Sequence, residues 1–204
     1  MTAAPYLIAL KAIAERDPDI AKALEIIGPP PPRDRPPGFG SLLRAIVGQQ
    51  ISAAAAASLW NRLAAAVDPI TPETIGRLDV EALRALGLSR QKAMYAQGLA
   101  RDILERRVDL ELLPQLDDEA AIVHLTQIKG IGRWSAEVYL LFALGRPDIW
   151  PSGDLALAVA MQRLKHLRRR PDPKRLIRLA EPWRPYRGAA AHFLWHYYAK
   201  APPI

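Results

Sequence analysis

Apolar side chains recur three or four positions apart along almost the whole chain, the spacing of one helix face. Two short segments within residues 5–27 begin the pattern, and a third continues it; the apolar residues are Leu7, Leu10, Ile13, Ile20, Leu24 and Ile27, then Leu42, Leu43, Ile46 and Val47. No segment alternates apolar and polar residues for long enough to indicate a strand. The pattern therefore predicts an all-α fold.

Polar residues and prolines mark where these helices begin. Asp17-Pro18 and Thr71-Pro72 each pair a capping side chain with proline at the first helical position. Further starts are predicted after Ser52, Asp79, Ser89 and Asp117, and at Pro173 and Pro185. The alanine run 53–57 is expected to lie on a buried central helix, because small side chains permit close packing. Residues 29–32 are all proline and predict an extended connector.

One stretch, residues 124–154, combines features that the helical pattern alone does not explain. A helix ends near Leu125, a tight turn carries Gly130 and Gly132, and a new helix runs from Arg133 to about residue 144. Glycines allow positive φ and close approach, and the free N–H groups of a helix start attract phosphate. Asp154 follows at the start of the next apolar helix. A phosphate-binding turn and a carboxylate thus lie on consecutive elements.

The phrase Leu125-x-x-Ile128-Lys129-Gly130-Ile131-Gly132-x-x-x-Ala136, followed by Asp154, resembles the helix-hairpin-helix DNA glycosylases. It is most similar to the DNA-3-methyladenine glycosylase II branch, without that branch's extra N-terminal α/β domain. Residues 46–52, 86–93 and 183–187 also match, and the resemblance extends over about residues 39–200.

The resemblance implies an arrangement of the chain as well as a fold. It predicts two helical lobes with a DNA- and base-binding cleft between them, in a single compact unit over residues 1–204. Residues 39–165 would form the core lobe, with the hairpin at 125–136, and residues 1–38 and 166–204 would complete the second lobe.

Composition narrows the class of partner. The formal charge of +7 favours an acidic partner such as nucleic acid. A basic surface that only keeps the protein in solution would carry the same charge. The absence of cysteine excludes disulfides, thiolate zinc sites and a cysteine-ligated iron–sulfur cluster. No apolar run could span a bilayer and no signal peptide is recognisable, so a cytoplasmic monomer is expected. The cluster Lys165, Arg168, Arg169 and Arg170 indicates a solvated helix end.

Asp154 is the carboxylate that the resemblance assigns to catalysis. An N-glycosidic bond breaks through an oxocarbenium-like sugar, which a nearby carboxylate stabilises while it orients water. An aspartate at a helix start can equally be a simple N-cap, and the two roles are compatible. Asp148 is the near competitor, but Ser152-Gly153-Asp154 matches the family phrase.

The base pocket is assigned to Trp134 and Trp195, whose rings suit a base made cationic by alkylation, although core packing is the ordinary role of both. Trp134 also stands where lyase relatives carry a Schiff-base lysine, so water is the expected nucleophile and no lyase activity is expected. Gln49 and Gln50 either border this pocket or are satisfied core amides.

Contacts to the DNA backbone are assigned to the hairpin and to one further turn. Lys129, Gly130, Gly132 and Arg133 would bind phosphate. The turn 88–90, with Leu88, Ser89 or Arg90, would fill the gap left by an extruded base, or be a surface turn with a capping serine. By resemblance alone, the carbonyls of Thr126, Ile128 and Ile131 could hold Na⁺ or K⁺. No other cofactor is expected.

Three functions compete on this reasoning. The first is a monofunctional glycosylase that excises alkylated purines of the 3-methyladenine type from double-stranded DNA. The second is a glycosylase of the same fold that acts on other damaged bases. The third is a non-catalytic helix-hairpin-helix DNA-binding module, which Asp154 and the tryptophans disfavour.

Overall fold

The computed structural model describes residues 3–33 and 35–200, and this part of the chain is all-α, as predicted, without a strand. Its helices are α1 (Ala3–Ala14), α2 (Pro18–Ile27), α3 (Phe39–Gly48), α4 (Ala53–Ala66), α5 (Pro72–Gly76), α6 (Val80–Ala85), α7 (Arg90–Leu104), α8 (Asp118–Thr126), α9 (Arg133–Phe142), α10 (Leu155–Leu164), α11 (Pro173–Ala180) and α12 (Arg187–Lys200). Single 3₁₀ turns lie at Leu113–Gln115 and Glu181–Trp183. Among the described helices, none is long and apolar enough to cross a membrane.

Capping side chains set most helix starts where the sequence predicts them. Asp17 accepts hydrogen bonds from the N–H groups of Asp19 and Ile20, and Thr71 forms a reciprocal capping box with Thr74. The predicted caps Ser52, Asp79, Ser89 and Asp117 each accept from the backbone N–H three residues later. Such bonds satisfy N–H groups that the helix itself leaves without an acceptor.

The last helix begins at Arg187, two residues later than proline 185 suggests. The side chain of Asp148, far away in sequence, accepts the N–H of Arg187 at 3.2 Å. A long-range carboxylate therefore caps this helix, and no local motif could have indicated it.

The chain divides into two units. One is the continuous segment Pro36–Tyr139, in which α7 packs on α3, α5 and α6, and α3 packs on α4. The other combines Met1–Arg35 with Leu140–Ile204, and here α12 packs on α1, α2 and α10. The division falls at residue 140 instead of the expected 166. α10 joins the unit of the termini because it packs on α12, α11 and α2, and its residues Leu157, Met161 and Leu164 are buried.

α4 is not the buried central helix that its alanine run predicted. Ala54, Ala55 and Ala57 are exposed, and the buried positions of this segment are Leu59, Leu63 and Val67. Alanine has the highest intrinsic helix propensity, so the run stabilises a surface helix without being buried.

Lys165 is not part of a solvated cationic cluster, contrary to the expectation above. Its ammonium donates to both carboxylate oxygens of Asp17, at 2.6 and 2.7 Å, and to Asp19 at 2.8 Å. The indole N–H of Trp183 donates to the same Asp17 carboxylate at 2.8 Å. This network joins the start of α2 to the end of α10.

Candidate functional site

The hairpin between α8 and α9 is a tight turn stabilised by its own backbone. The N–H of Ile128 donates to Leu125 at 3.1 Å, and the N–H of Ile131 donates to the carbonyl of Ile128 at 2.9 Å. The first helical bond of α9 runs from Ala136 to the carbonyl of Gly132 at 3.0 Å. Within residues 3–33 and 35–200, the N–H groups of Gly130 and Gly132 have no hydrogen-bond acceptor. Free N–H groups beside a helix N-terminus, where the helix dipole is positive, are suited to bind an anion.

The two hairpin glycines differ in backbone conformation and in the space available for a side chain. Gly130 has a φ of 96°, and a Cβ there would lie 2.5 Å from the ring of Tyr95. Gly132 does not have a positive φ, and a Cβ there would meet no atom within 4 Å. The expectation of positive φ therefore holds for Gly130 alone, whereas at Gly132 the space that a side chain would occupy is open.

A depression of about 410 Å³ lies against the hairpin, within the Pro36–Tyr139 unit. Gln49 and Gln50 line it together with residues 128–132, but Trp134 does not. The amide of Gln49 donates to the carbonyl of Gly130 at 2.7 Å, and Gln50 is exposed with a φ of 58°. Gln49 is thus bound to the hairpin turn, and neither glutamine is a core amide. Whether either residue borders a base stays a prediction.

Arg133, one of the residues predicted to bind the DNA backbone, has its side chain held in ion pairs. Its guanidinium makes two bonds to Glu119, at 2.6 and 2.7 Å, and one to Glu137 at 3.0 Å. The hydrogen bond to Glu119 raises the pKa of Arg133; partial desolvation opposes this effect, and the charges of Glu137 and Glu119 add to it. The side chain therefore ties α8 to α9. Lys129 is the exposed cation of the turn.

In the turn before α7, the three candidates separate by burial. Leu88 is only 3% exposed, so it belongs to the core and cannot fill a gap in DNA from its present position. Ser89 accepts the N–H of Lys92 at 3.3 Å and caps α7. Ser89 and Arg90 are both exposed and remain candidates for the gap-filling role.

Asp154 lies at the N-terminus of α10 and is 9% exposed. Its side chain accepts the N–H of Leu157 at 2.8 Å, and its carbonyl accepts the N–H of Ala158 at 3.1 Å. Asp148 is bound differently. Its carboxylate accepts a hydrogen bond from Nε of Arg187 at 3.0 Å and forms a second ion pair with Arg184. Asp148 is thus committed to holding the start of α12, which leaves Asp154 as the candidate catalytic carboxylate.

The two predicted pocket tryptophans belong to different units. Trp134, in the Pro36–Tyr139 unit, is 47% exposed and is therefore not a core residue. Trp195, in the other unit, is half-buried, with its ring centre 5.7 Å from that of Phe142. The Arg33 guanidinium lies 5.5 Å from the same phenylalanine ring. Phe142 is fully buried, so these contacts are core packing.

No group of three metal-ligating side chains occurs in the part of the chain that the structure describes. His192 is buried between Tyr6 and Phe142, and its burial, with the nearby charges of Arg33 and His196, lowers its pKa to about 4. At the hairpin, the Ile128 carbonyl already accepts one hydrogen bond, which leaves one lone pair for a cation.

An all-α fold, a glycine hairpin whose N–H groups lack an acceptor among the described residues, and a buried aspartate at a helix start together fit the class of helix-hairpin-helix proteins. Residues 43–185 match the HhH-GPD superfamily of base excision DNA repair proteins, and the chain belongs to that family. The resemblance inferred from the hairpin phrase is confirmed.

Among curated proteins, the chain is similar to DNA-3-methyladenine glycosylase 1 of Schizosaccharomyces pombe, 34% identical over 161 residues, or 77% of this chain and 71% of that protein. It is also similar to the alkylbase DNA glycosidase-like protein mag2 of the same organism, 30% identical over 93% of this chain and 92% of that protein.

Two solved structures support the same family. The S. pombe 3-methyladenine DNA glycosylase Mag1, in complex with abasic DNA, superposes with a TM-score of 0.86 at 30% identity, covering 96% of this chain and 98% of that one. A DNA-3-methyladenine glycosidase from Bacillus halodurans gives a TM-score of 0.81 at 32% identity, covering 94% and 89%.

Proposed function

We propose that this DNA glycosylase of base excision repair hydrolyses the N-glycosidic bond of alkylated purines, with Asp154 as its catalytic carboxylate. The observation that carries the proposal is the position of Asp154, shielded from solvent and fixed at the start of α10. The names of the similar proteins, which refer to 3-methyladenine and alkylated bases, support the substrate class.

DNA binding begins at the hairpin. The N–H groups of Gly130 and Gly132 bind a backbone phosphate, and the exposed ammonium of Lys129 adds charge beside it. Such contacts position the protein on the duplex without reading sequence. A monovalent cation on the carbonyls of Thr126, Ile128 and Ile131 would add positive charge at the same turn.

The damaged nucleotide must leave the helix stack, because its sugar carbon is inaccessible within a duplex. Ser89 or Arg90 fills the gap that it leaves. Trp134 and Trp195 offer π faces, on which a base that carries a positive charge after alkylation binds more strongly than a neutral base.

Asp154 acts when the bond between base and sugar breaks. The pair of electrons leaves with the base, and positive charge develops on the sugar ring, where the carboxylate stabilises it. Water then adds to the sugar carbon and gives up a proton, for which Asp154 is the base. Because Trp134 cannot form a Schiff base, the product is an intact abasic site.

A set of duplexes, each with one lesion, tests this function. We expect release of 3-methyladenine, 7-methylguanine or 1-methyladenine, with undamaged purines released much more slowly. Release of uracil or mismatched bases instead would favour the second function of the same fold. Binding without release of any base would favour a DNA-binding module. We further infer that the enzyme acts as a monomer, which light scattering with and without DNA can check.

A further inference from the structure

We propose that Gln49 and Tyr95 are positioning residues that act through Gly130 to hold the hairpin in the conformation that binds phosphate. The proposal rests on the DNA binding proposed above and adds two residues to it. Neither side chain needs to touch DNA in this role.

Gln49 fixes the peptide group that follows Gly130. It stands directly after α3, where its own N–H donates to Ile46 at 3.2 Å, and its side-chain amide donates to the Gly130 carbonyl at 2.7 Å. The same peptide group carries the N–H of Ile131, which closes the turn on Ile128. Rotation of this peptide would break both bonds, so Gln49 restricts the turn immediately before Gly132.

Tyr95 restricts the other side of the same glycine. Its ring approaches Gly130 so closely that no Cβ could fit between them. The hydroxyl of Tyr95 accepts a hydrogen bond from the amide of Gln91 at 2.7 Å, one turn earlier on α7, which fixes the ring. Gly130 is thus enclosed by an aromatic face on one side and an amide donor on its carbonyl.

Lys92 joins the two supports to each other. Its ammonium donates to the carbonyl of Val47 near the end of α3, at 2.8 Å, so the helix that carries Tyr95 is tied to the segment that carries Gln49. Burial lowers the pKa of Lys92, which agrees with a cation held at a backbone carbonyl instead of in open solvent. The hairpin, the end of α3 and the start of α7 therefore form one connected support.

A support of this kind affects binding by lowering the entropy that the loop loses when DNA binds. The free N–H groups at Gly130 and Gly132 already point in fixed directions. Without the support, the turn would have to be ordered during binding, and affinity would fall although every phosphate contact remained available. Chemistry at Asp154, once DNA is bound, would be unaffected.

The test compares Gln49→Met with Gln97→Met in the full-length protein. Gln97 is a matched control, because its amide also donates to a backbone carbonyl, that of Leu78 at 2.6 Å, in the same unit but away from the hairpin. Both variants lose one hydrogen bond of the same kind, so both should unfold at a similar, slightly lower Tm.

We expect Gln49→Met alone to raise the Kd for an undamaged duplex, by roughly three- to tenfold. On lesion DNA its KM should rise by a similar factor, with kcat within about twofold of the native value. Tyr95→Phe keeps the ring against Gly130 but loses the bond from Gln91, so it should weaken binding only slightly. Tyr95→Ala removes the ring and should weaken binding as Gln49→Met does.

Equal Kd values for Gln49→Met and Gln97→Met would overturn the proposal, as would a kcat defect without a change in KM. The binding assay uses undamaged DNA and needs no excision. A protein that binds DNA but releases no base would therefore contradict the proposed function while leaving this comparison decisive.

Discussion

At the scale of single residues, three aspartates of the same unit have different environments. Asp172 is an exposed N-cap of α11, Asp148 is bound by two arginines, and Asp154 is a shielded N-cap. At Asp154 the group that caps α10 and the group proposed to catalyse the reaction are the same carboxylate. Substitutions must therefore separate its charge from its hydrogen bond.

Asp154→Asn should keep near-native stability and still bind lesion DNA, but lose base release by orders of magnitude. Asparagine caps a helix about as well as aspartate, yet it has no charge to stabilise the sugar cation. Asp154→Ala should be equally inactive and should also lose roughly 0.5–2 kcal/mol of unfolding free energy. Single-turnover base release and urea unfolding measure the two effects.

The control for this prediction is Asp172→Asn, which removes the charge of an exposed cap and should remain fully active. Asp148 is a poor control because its loss would release Arg184 and Arg187. Native base release by Asp154→Asn would show that the residue only caps α10.

His192 should make the protein less stable in mild acid. Burial lowers its folded-state pKa from 6.5 to about 4, so the unfolded chain binds the proton more tightly. Its contribution is complete above pH 6.5 and is lost as the pH falls towards 4, by at most about 3 kcal/mol. Urea unfolding between these pH values should show a smaller decline for His192→Leu than for the native protein.

Phe193→Leu is the matched control for that measurement. It replaces a neighbouring buried side chain that does not titrate, so it should lower stability equally at every pH. If the stability of His192→Leu fell with pH as steeply as that of Phe193→Leu, His192 could not be the cause of the acid destabilisation.

Sequence could identify Asp154 as a candidate because a helix cap and a family phrase coincide there. It could not reveal that Arg133 is occupied, since its carboxylate partner Glu119 lies on the preceding helix. The burial of Leu88 was equally unpredictable, because a leucine in a turn is expected to be exposed unless its tertiary contacts are known.

At the scale of the helical elements, the hairpin glycines should respond oppositely to alanine. Gly132→Ala should fold normally, because a Cβ there meets open space. It should weaken binding to all DNA sequences alike, because an added methyl group would hinder the close approach of the proposed phosphate. Gly130→Ala should instead destabilise the fold, because of its positive φ and the Tyr95 ring.

Fluorescence anisotropy with several unrelated duplexes, at two or more salt concentrations, tests the hairpin. Native binding should weaken as salt rises, since phosphate contacts release counterions. A folded Gly132→Ala variant with native affinity would contradict phosphate binding at this turn.

The network around Asp17 should contribute more to stability than an exposed cap does. Asp17→Asn can still cap α2, but it removes the more buried of the two carboxylates that pair with Lys165 and leaves only Asp19. We expect a loss of about 2–4 kcal/mol in urea unfolding, whereas Asp172→Asn should lose little. Similar losses for both variants would mean that the Asp17–Lys165 pair contributes little.

Helix starts were predictable because capping is local: one side chain bonds a backbone N–H three residues away. The start of α12 was not, because Asp148 supplies its cap from a distant segment. The exposure of α4 was also not predictable, because alanine is compatible with both a buried and an exposed helix face.

At the scale of the whole molecule, the reaction type gives a prediction of its own. The product should be an intact abasic site, and the strand should break only after alkali or an added endonuclease, because Trp134 offers no amine at the lyase position. Borohydride should trap no covalent complex between protein and DNA. Efficient trapping would identify an amine nucleophile, with Lys129 as the first residue to replace.

Helix content and family followed from periodicity and from the hairpin phrase, but the division of the chain did not. Segments 1–35 and 140–204 associate through apolar faces that resemble those of every other amphipathic helix here. Periodicity tells which face is buried and does not tell which helix will cover it.

The discontinuous unit has a consequence for synthesis on the ribosome. α1 and α2 emerge first, but α12, on which both pack, begins only at Arg187. At translation rates of roughly 5–20 residues per second, α1 and α2 are synthesised on the order of ten seconds before α12. The segment Pro36–Tyr139 can fold meanwhile, so we expect the nascent chain to acquire protease resistance there first and at its N-terminus last.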